Sequence, residues 1–596
     1  MEIQRALILT AIAVVTYLMI LAWQEDYGRA PEVDHATVTR DQGSVPGDTL
    51  GDSFDEGGDR PAAVAANANG DDDIPSAEEA PRASSAAADE AIPATANQAP
   101  SATAERLITV RTDILELEID RLGGDIVRIS LLDYPRQVDT PDEPFVLLER
   151  SSARTYVAQS GIVGANGTDS AEGRPTWQAE QARYTLSENE HELNVDLYYR
   201  QDSGAEIIKR FTFERGSYLI RHSHIVRNNT NEIWQGALYG QIKRDGSDDP
   251  GKSSAGFIPM PTYLGGAYWS SDKPYNKLTL SNMRDENLRT TQEAGWVAMI
   301  QHYFLSAWIP DPSERHTFSS VYRKNQDEYI LRFMSPTTTV APNSEGVLYT
   351  EFYAGPKQQD NLRAISPGLH MTVDYGWLWF ISQPIFAVLV FLQSGQISIF
   401  GNQFDVGFGV GNWGIAIILL TLLIKLAFFK LSAASYRSMA RMRKVAPEMQ
   451  RIREQHKSDR QKQSQELMKL YQKEKINPLG GCLPILVQMP VFIALYYVLL
   501  ESVELRQAPF FGWIQDLSLM DPWFILPLLM GASMWFQMRL NPTPPDPTQA
   551  QVMKWMPVIF TVFFLWFPAG LVLYWLTNNL LSIAQQWVIT RRIENE

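Results

Sequence analysis

Apolar and polar positions follow different periods in different parts of this 596-residue chain. Ala6 to Trp23 form an apolar run of 18 residues with no charge and follow Arg5. A run of that length reaches across a hydrocarbon core of about 30 Å. It ends Ile20-Leu21-Ala22-Trp23-Gln24, without the small residues that precede a signal-peptide cut, so residues 1–23 are expected to be an uncleaved membrane anchor. From Arg106 the period becomes two. Leu107, Thr109 and Arg111 oppose Ile108 and Val110, and Ile114 to Ile119 continue the alternation. It resumes at Ile126 to Ile129, Glu192 to Tyr199, Glu206 to Phe213 and Tyr218 to Val226, with Gly, Asn and Asp between. Short alternating runs between turn residues predict an antiparallel β-sandwich over residues 106–365.

The last third is apolar in long blocks: Trp377–Leu392, Trp413–Leu431, Cys482–Leu500, Pro522–Met538 and Trp555–Ile589. A straight helix over the last block would extend about 52 Å, beyond the hydrocarbon core. Phe567-Pro568-Ala569-Gly570 is the predicted break, leaving spans at 555–567 and 571–589. The shorter would cover only about 20 Å, which favours local thinning of the bilayer.

Charge decides which blocks cross. Ala433–Gly481 carries twelve Lys and Arg against five acidic residues and is placed in the cytoplasm. The stretch between Leu392 and Trp413 has no Lys or Arg, and Glu501–Asp521 has only Arg506 with four acids, so both are placed outside. Trp377–Leu392 then cannot cross without inverting these loops. Ser382-Gln383-Pro384 also interrupts it, and an interfacial helix within the connecting region 366–412 is expected. The count is six spans with both termini inside: the anchor, and five spans in a core at 413–592 followed by a tail at 593–596. The basic loop carries Met439, Met442, Val445, Met449, Ile452 and then Leu467, Leu470 and Tyr471 at helical spacing, predicting a helical hairpin over 432–481. It is either a solvated hairpin or a docking site for a ribosome or nascent chain. The fold class is a polytopic α-helical membrane protein with a large all-β domain.

Composition adds two constraints. Residues 24–105 hold 18 acidic residues and four arginines, which accounts for most of the formal charge of −16. With almost no aromatic residues, this stretch lacks the apolar surface to offset ordering entropy and is read as a disordered tether. Cys482 is the sole cysteine, so no intramolecular disulfide or cysteine-rich zinc site forms. His222 and His224 share one strand face, but a pair of histidines is a weak metal signal and is expected to be solvated. No G-x-S-x-G, H-E-x-x-H or P-loop is present, and no cofactor is implied. An intramembrane hydrolase lacks a nucleophile and base within the spans. A secondary transporter is the chief rival, but the chain shows no internal repeat. The β domain alone is compatible with binding a sugar or a peptide.

Lys425 carries the most chemistry. It sits between Leu422-Leu423-Ile424 and Leu426-Ala427-Phe428-Phe429, where a charge facing lipid costs about 2.5–3.5 kcal/mol. Snorkelling is the plain reading, and it fits Lys430 better. Polar residues on other spans point elsewhere: Thr421 one turn before Lys425, Gln488, Ser533 with Gln537, and Asn578, Ser582 and Gln585 at i, i+4, i+7. No acid lies within these spans. A wet pocket holding Lys425, open to the cytoplasm and able to take a polar or acidic segment of an incoming chain, resolves the cost.

Lys473-x-x-x-x-Asn477-Pro478-Leu479-Gly480-Gly481-Cys482, Gln488-Met489-Pro490, Ser502–Phe510, Met556–Phe560 and Phe567–Trp575 together resemble the YidC insertase family, relatives of the mitochondrial and chloroplast insertases. Arg111-Thr112-Asp113 and Gly123-Gly124-Asp125 resemble the start of the periplasmic domain in the Gram-negative form. The resemblance implies a bacterial inner-membrane insertase and folding chaperone, not an enzyme, with six spans, a periplasmic β-super-sandwich and residues 24–412 in the periplasm. It further implies a hydrophilic groove open to cytoplasm and lipid, nascent membrane proteins on ribosomes as clients, work alone or beside the Sec translocon, and no sequence-specific nucleic-acid binding. The family's groove cation, usually arginine, falls on Lys425, which keeps the charge and loses the bidentate fork. The substrate-contacting positions fall on Thr421 and on Trp575, where tyrosine is common.

Overall fold

The computed structural model describes residues 106–170, 173–251, 262–399, 402–405, 407–456, 459–474, 483–540 and 547–595. The anchor at 1–23, the linker at 24–105 and the Asn477–Cys482 motif lie outside the described residues.

Alternation becomes sheet as expected. Along Leu115–Asp120 the residues Leu115, Leu117 and Ile119 point inward, and along Leu219–Asn228 Ile220, His222, His224 and Val226 do so. Eleven strands form one sheet, running from Arg289–Glu293 at one edge through Trp234–Asp245 and Thr155–Val163 to Arg183–Thr185 at the other. Nine strands form the second, from Asn276–Thr279 through Ser344–Pro356 and Leu219–Asn228 to Gln178–Ala179. Neighbours pair antiparallel except Leu107–Arg111 with Arg183–Thr185. The sheets face one another: Trp308 Nε1 donates to the Gln241 carbonyl at 3.1 Å, and the Tyr156 hydroxyl meets Ser306 Oγ at 2.7 Å. His222 and His224 stand in this interior with no exposed surface, which corrects their reading as a solvated pair. Lys209 is buried beside them, donating to the carbonyls of Gly123 and Ser160 at 2.9 and 2.8 Å.

Two short helices, α1 (Leu280–Asp285) and α2 (Gln359–Ile365), belong to the sandwich. A larger set follows: α3 (Trp379–Ser394), α4 (Trp413–Ala427), α5 (Phe429–Gln455), α6 (Arg460–Lys473), α7 (Leu483–Glu501), α8 (Ile525–Leu540), α9 (Pro547–Phe564) and α10 (Ala569–Asn595). α10 is central, packing on α4, α5, α7 and α8. α5 and α6 meet through Met449, Leu467 and Leu470.

Three expectations are revised. The block Trp413–Leu431 is not straight: α4 and α5 meet at Phe428 with a bend of 68°. Pro384 does not interrupt its block, because Gly376–Ser394 is one continuous stretch, long and apolar enough to cross a membrane by itself. Ser382 is buried there and donates to the Ala494 carbonyl of α7 at 3.2 Å. The helix before the Pro568 break begins at Pro547, so it is longer than 555–567, although its apolar part is only Ala550–Phe564.

The sandwich is bolted to the helices at the C-terminal end of α7. Lys357 Nζ meets Glu501 Oε2 at 2.9 Å with both side chains buried. His302 Nε2 lies 2.8 Å from the Leu500 carbonyl, and the Tyr375 hydroxyl 3.3 Å from Ser502 Oγ. Arg506 donates to the Pro135 carbonyl at 2.7 Å, and its guanidinium stands 5.6 Å from the ring centres of both Phe145 and Phe304. A cation on two aromatic faces with a carbonyl acceptor keeps favourable partners after losing water. The segment after α7 then closes over the bundle. Asp521 accepts from Trp513 Nε1 and from the Leu526 amide at the start of α8, at 2.8 and 2.7 Å. The amides of Ala569 and Gly570 donate to the carbonyls of Leu519 and Leu517, holding the start of α10. Gly414 is required in this region, since a Cβ there would strike the Phe510 ring.

Candidate functional site

Lys425 occupies the last turn of α4, immediately before the bend at Phe428. Its ammonium donates to Ser582 Oγ of α10 at 2.7 Å. Among the described residues no carboxylate forms an ion pair with it. Ser582 is buried and its hydroxyl donates to the Asn578 carbonyl one turn earlier, at 2.7 Å. Gln488 of α7 donates to Asn578 Oδ1 at 2.6 Å and to the Tyr574 hydroxyl at 3.2 Å. Gln585 donates to the Phe429 carbonyl at 3.4 Å, at the first residue past the bend.

These groups border a recess lined by Ile424, Lys425, Phe428, Leu431, Ser432, Val487 and Gln488, enclosing about 260 Å³ when the space open to its surroundings is counted. Its apolar walls and one cation make a site that favours an anionic or polar group over an apolar one, because Lys425 has only neutral oxygen as a partner. A carboxylate within about 4 Å gains roughly 4 kcal/mol at an effective dielectric near 20. That is comparable with the roughly 2.5–3.5 kcal/mol that one charge costs in lipid.

The polar residues read from the sequence separate into groups. Lys425, Gln488, Asn578, Ser582 and Gln585 come together along one face of α10. Ser533 faces α10 on another side: it donates to the Met530 carbonyl at 2.6 Å and accepts from Asn579 Nδ2 at 3.2 Å. Gln537 lies half-buried one turn further along α8. Thr421 is fully buried, and its hydroxyl donates to the Ile417 carbonyl of its own helix at 2.7 Å. Trp575 packs among Phe492, Phe564 and Phe560 with ring centres 4.7, 5.4 and 6.2 Å away, and its indole N–H is buried without a hydrogen-bond partner among the described residues.

Sequence reasoning missed three contributors. Tyr574 supplies a hydroxyl beside Trp575, and it stands four residues before Asn578, so the polar stripe of α10 begins one turn earlier than was read. Asn579 and Gln586 form a second stripe, with Gln586 donating to the Leu540 carbonyl at the end of α8 at 3.1 Å.

A family model for the YidC periplasmic domain matches residues 107–388, and one for the 60 kDa inner membrane protein matches residues 406–596. A membrane protein insertase YidC of Alcanivorax borkumensis is 66% identical over 597 residues, covering 100% of both chains. This chain belongs to the YidC family. Another YidC, of Stutzerimonas stutzeri, is 52% identical over 595 residues, covering 100% of this chain and 99% of that one. A crystal structure of an active YidC insertase with its first transmembrane domain resolved is 18% identical over 80% of this chain and 92% of that one, with a TM-score of 0.34. The protein is therefore a membrane protein insertase with a β-sandwich periplasmic domain and C-terminal helices, and not an enzyme. The transporter reading is set aside. The YidC periplasmic match extends to residue 388, beyond the limit of 365 read from alternation, and takes in α2 and most of α3.

Proposed function

We propose that a nascent membrane protein enters this YidC through the recess at the Phe428 bend, with Lys425 attracting its acidic or polar segment. The observation that carries the reading is an ammonium in the last turn of an apolar helix whose described hydrogen-bond acceptor is a serine hydroxyl. Gln488, Asn578, Ser582 and Gln585 line the approach and give other polar groups of the client a partner. Ser533 and Gln537 on α8, with Thr421 and Trp575, complete the groove as its supporting walls.

Six spans place both termini and the α5–α6 hairpin in the cytoplasm, and residues 24–412 in the periplasm. Loop charge supports this assignment. α3 then lies along the outer face, which suits its exposed Trp379 and Phe380 and Trp377 just before it. The apolar part of α9, Ala550–Phe564, reaches only about 22 Å. A bilayer thinned around it shortens the crossing for the client. The basic hairpin suits a ribosome carrying a nascent chain, and the family resemblance supports work alone or with the Sec translocon.

Reconstituted Lys425→Glu protein is expected to lose insertion of a client with an acidic translocated tail by at least tenfold while remaining folded, and Lys425→Arg to retain it. Undiminished insertion by Lys425→Glu would overturn the reading.

A further inference from the structure

Two cations meet at one end of the α8–α9 pair. The two helices pack together and only residues 541–546 join them, so they run antiparallel. One shared level is fixed by Gly531, where a Cβ would overlap the Thr561 hydroxyl. Lys554 lies seven residues before Thr561, on the same face of α9 and about 10 Å along it. Arg539 lies eight residues after Gly531, about 12 Å in the same direction, with Trp535 midway. Both cations therefore stand at the same end of the seam between the helices. Both are exposed, and among the described residues neither forms an ion pair.

Arg539 is not extended toward water. Its guanidinium carbon stands 3.6 Å from the centre of the Trp535 ring, one turn back toward the apolar middle of α8. At that distance the planar guanidinium is stacked on the indole, and its edge of N–H groups stays free to donate two parallel bonds to one anion. Trp535 and Trp555 are 42% and 55% exposed, and tryptophan near the end of a span marks the level between acyl chains and headgroups. Contacts of α10 place that level. Gln586 donates to the Leu540 carbonyl at 3.1 Å and Gln585 to the Phe429 carbonyl at 3.4 Å, so the end of α8 is level with the α4–α5 bend.

Resting on the orientation proposed above, which turns this end to the cytoplasm, we infer that Arg539, Lys554 and Trp535 form a site for the phosphate of an anionic phospholipid in the inner leaflet. The guanidinium takes two phosphate oxygens, and the Lys554 ammonium adds a point charge from the other helix. The exposed indoles pack against the start of the acyl chains, a contact that a soluble anion lacks. The bound headgroup fixes the membrane surface at the level of the bend. Ser582, the partner of Lys425, is four residues before Gln586, about 6 Å deeper. A client's acidic group then meets Lys425 about one turn below the lipid phosphates.

The test uses the full-length chain in phosphatidylcholine vesicles with a trace of spin-labelled phosphatidylglycerol or spin-labelled phosphatidylcholine. Electron spin resonance measures the share of each held at the protein. The native chain is expected to hold phosphatidylglycerol about threefold over phosphatidylcholine, and Arg539→Gln with Lys554→Gln to lose at least half of that preference. Trp535→Leu, which keeps both charges, should also lower it, and an undiminished value would overturn the stacked site. Lys430→Gln with Arg437→Gln removes the same charge from exposed positions of α5 and should leave the preference nearly intact. An equal loss in both double variants would mean diffuse attraction to basic residues, and no loss in Arg539→Gln with Lys554→Gln would mean no site; either overturns the proposal. Exchanging chloride for phosphate at equal ionic strength should change nothing, and collapse of the preference would overturn the lipid in favour of free phosphate. Insertion by Lys425→Glu is measured in the same vesicles. Normal insertion removes the groove reading whatever the lipid result, whereas lost insertion with an unchanged lipid preference in Arg539→Gln with Lys554→Gln removes the lipid site alone.

Discussion

Single side chains in this protein are costly in proportion to what they lack. Among the described residues His224 has no hydrogen-bond partner at either ring nitrogen, and it stands 4.7 Å, centre to centre, from His222. Burial, with the nearby positive charges of Lys209 and Arg174, holds the His224 imidazole well below its ordinary range. Unfolded chain therefore binds a proton near pH 6.5 that the folded chain refuses. The stability this group contributes is complete above pH 6.5 and is lost as the pH falls below it, at about 1.4 kcal/mol per pH unit. His224→Phe removes an orphaned polar group from an apolar, aromatic surrounding. It should be neutral or stabilising at pH 8 and should flatten the acid limb below pH 6.5, checked by thermal unfolding at half-unit pH intervals. An unchanged acid slope would show that His224 is hydrated in the folded state. Lys425 is the opposite case: its neighbours are few but well placed.

Helices here are set by what grips them more than by their own composition. α7 is fixed through Glu501, whose partner Lys357 comes from the sandwich. Removing one member of a buried ion pair leaves an uncompensated charge, whereas replacing both with apolar residues is often neutral. Lys357→Met is expected to destabilise the protein by about 3–5 kcal/mol, and Lys357→Met with Glu501→Leu by much less, measured by unfolding in detergent. Equal losses in the single and double variants would mean the pair contributes only by packing. α8 and α9 depend on shape instead. Gly531 lets them close, because a Cβ there would overlap Thr561. The bend between α4 and α5 has no proline or glycine at 424–432. Bends without a breaking residue need an outside cause, and the hydrogen bonds from Lys425 to Ser582 and from Gln585 to the Phe429 carbonyl identify α10 as that cause.

The whole molecule combines a packed β-sandwich with a helical bundle whose apolar belt is short at Ala550–Phe564. The sandwich, its joint at Lys357, His302 and Arg506, and the segment 502–524 form one continuous packed body with the bundle. If the thin belt assists insertion, activity should depend on lipid length. Insertion by this YidC is expected to be fastest in bilayers of fourteen-carbon chains and to fall several-fold when the chains lengthen to twenty carbons, as the mismatch cost grows by fractions of a kcal/mol per Å. A flat dependence across this series would separate insertion from bilayer thinning.

Period-two alternation, an acidic tract with almost no aromatics, a proline–glycine break at 568–570 and the polar stripe of α10 are local patterns, and each can be read from neighbouring residues. They were enough to anticipate the sandwich, the helices that follow it and most of the residues around Lys425. The inward turn of His222 and His224, the bend at Phe428, the unbroken course of α3 through Pro384, and the division of α10 into stripes facing α7 and α8 were not legible. Each depends on a partner far away in the chain: Ser160 and Trp308 around the histidines, Ser582 at the bend, Ala494 beside Ser382, Asn579 against Ser533. Periodicity determines which face of an element is apolar. Only packing decides which neighbour that face meets, because burial free energy depends on the total area removed from water and not on the identity of the residues that cover it.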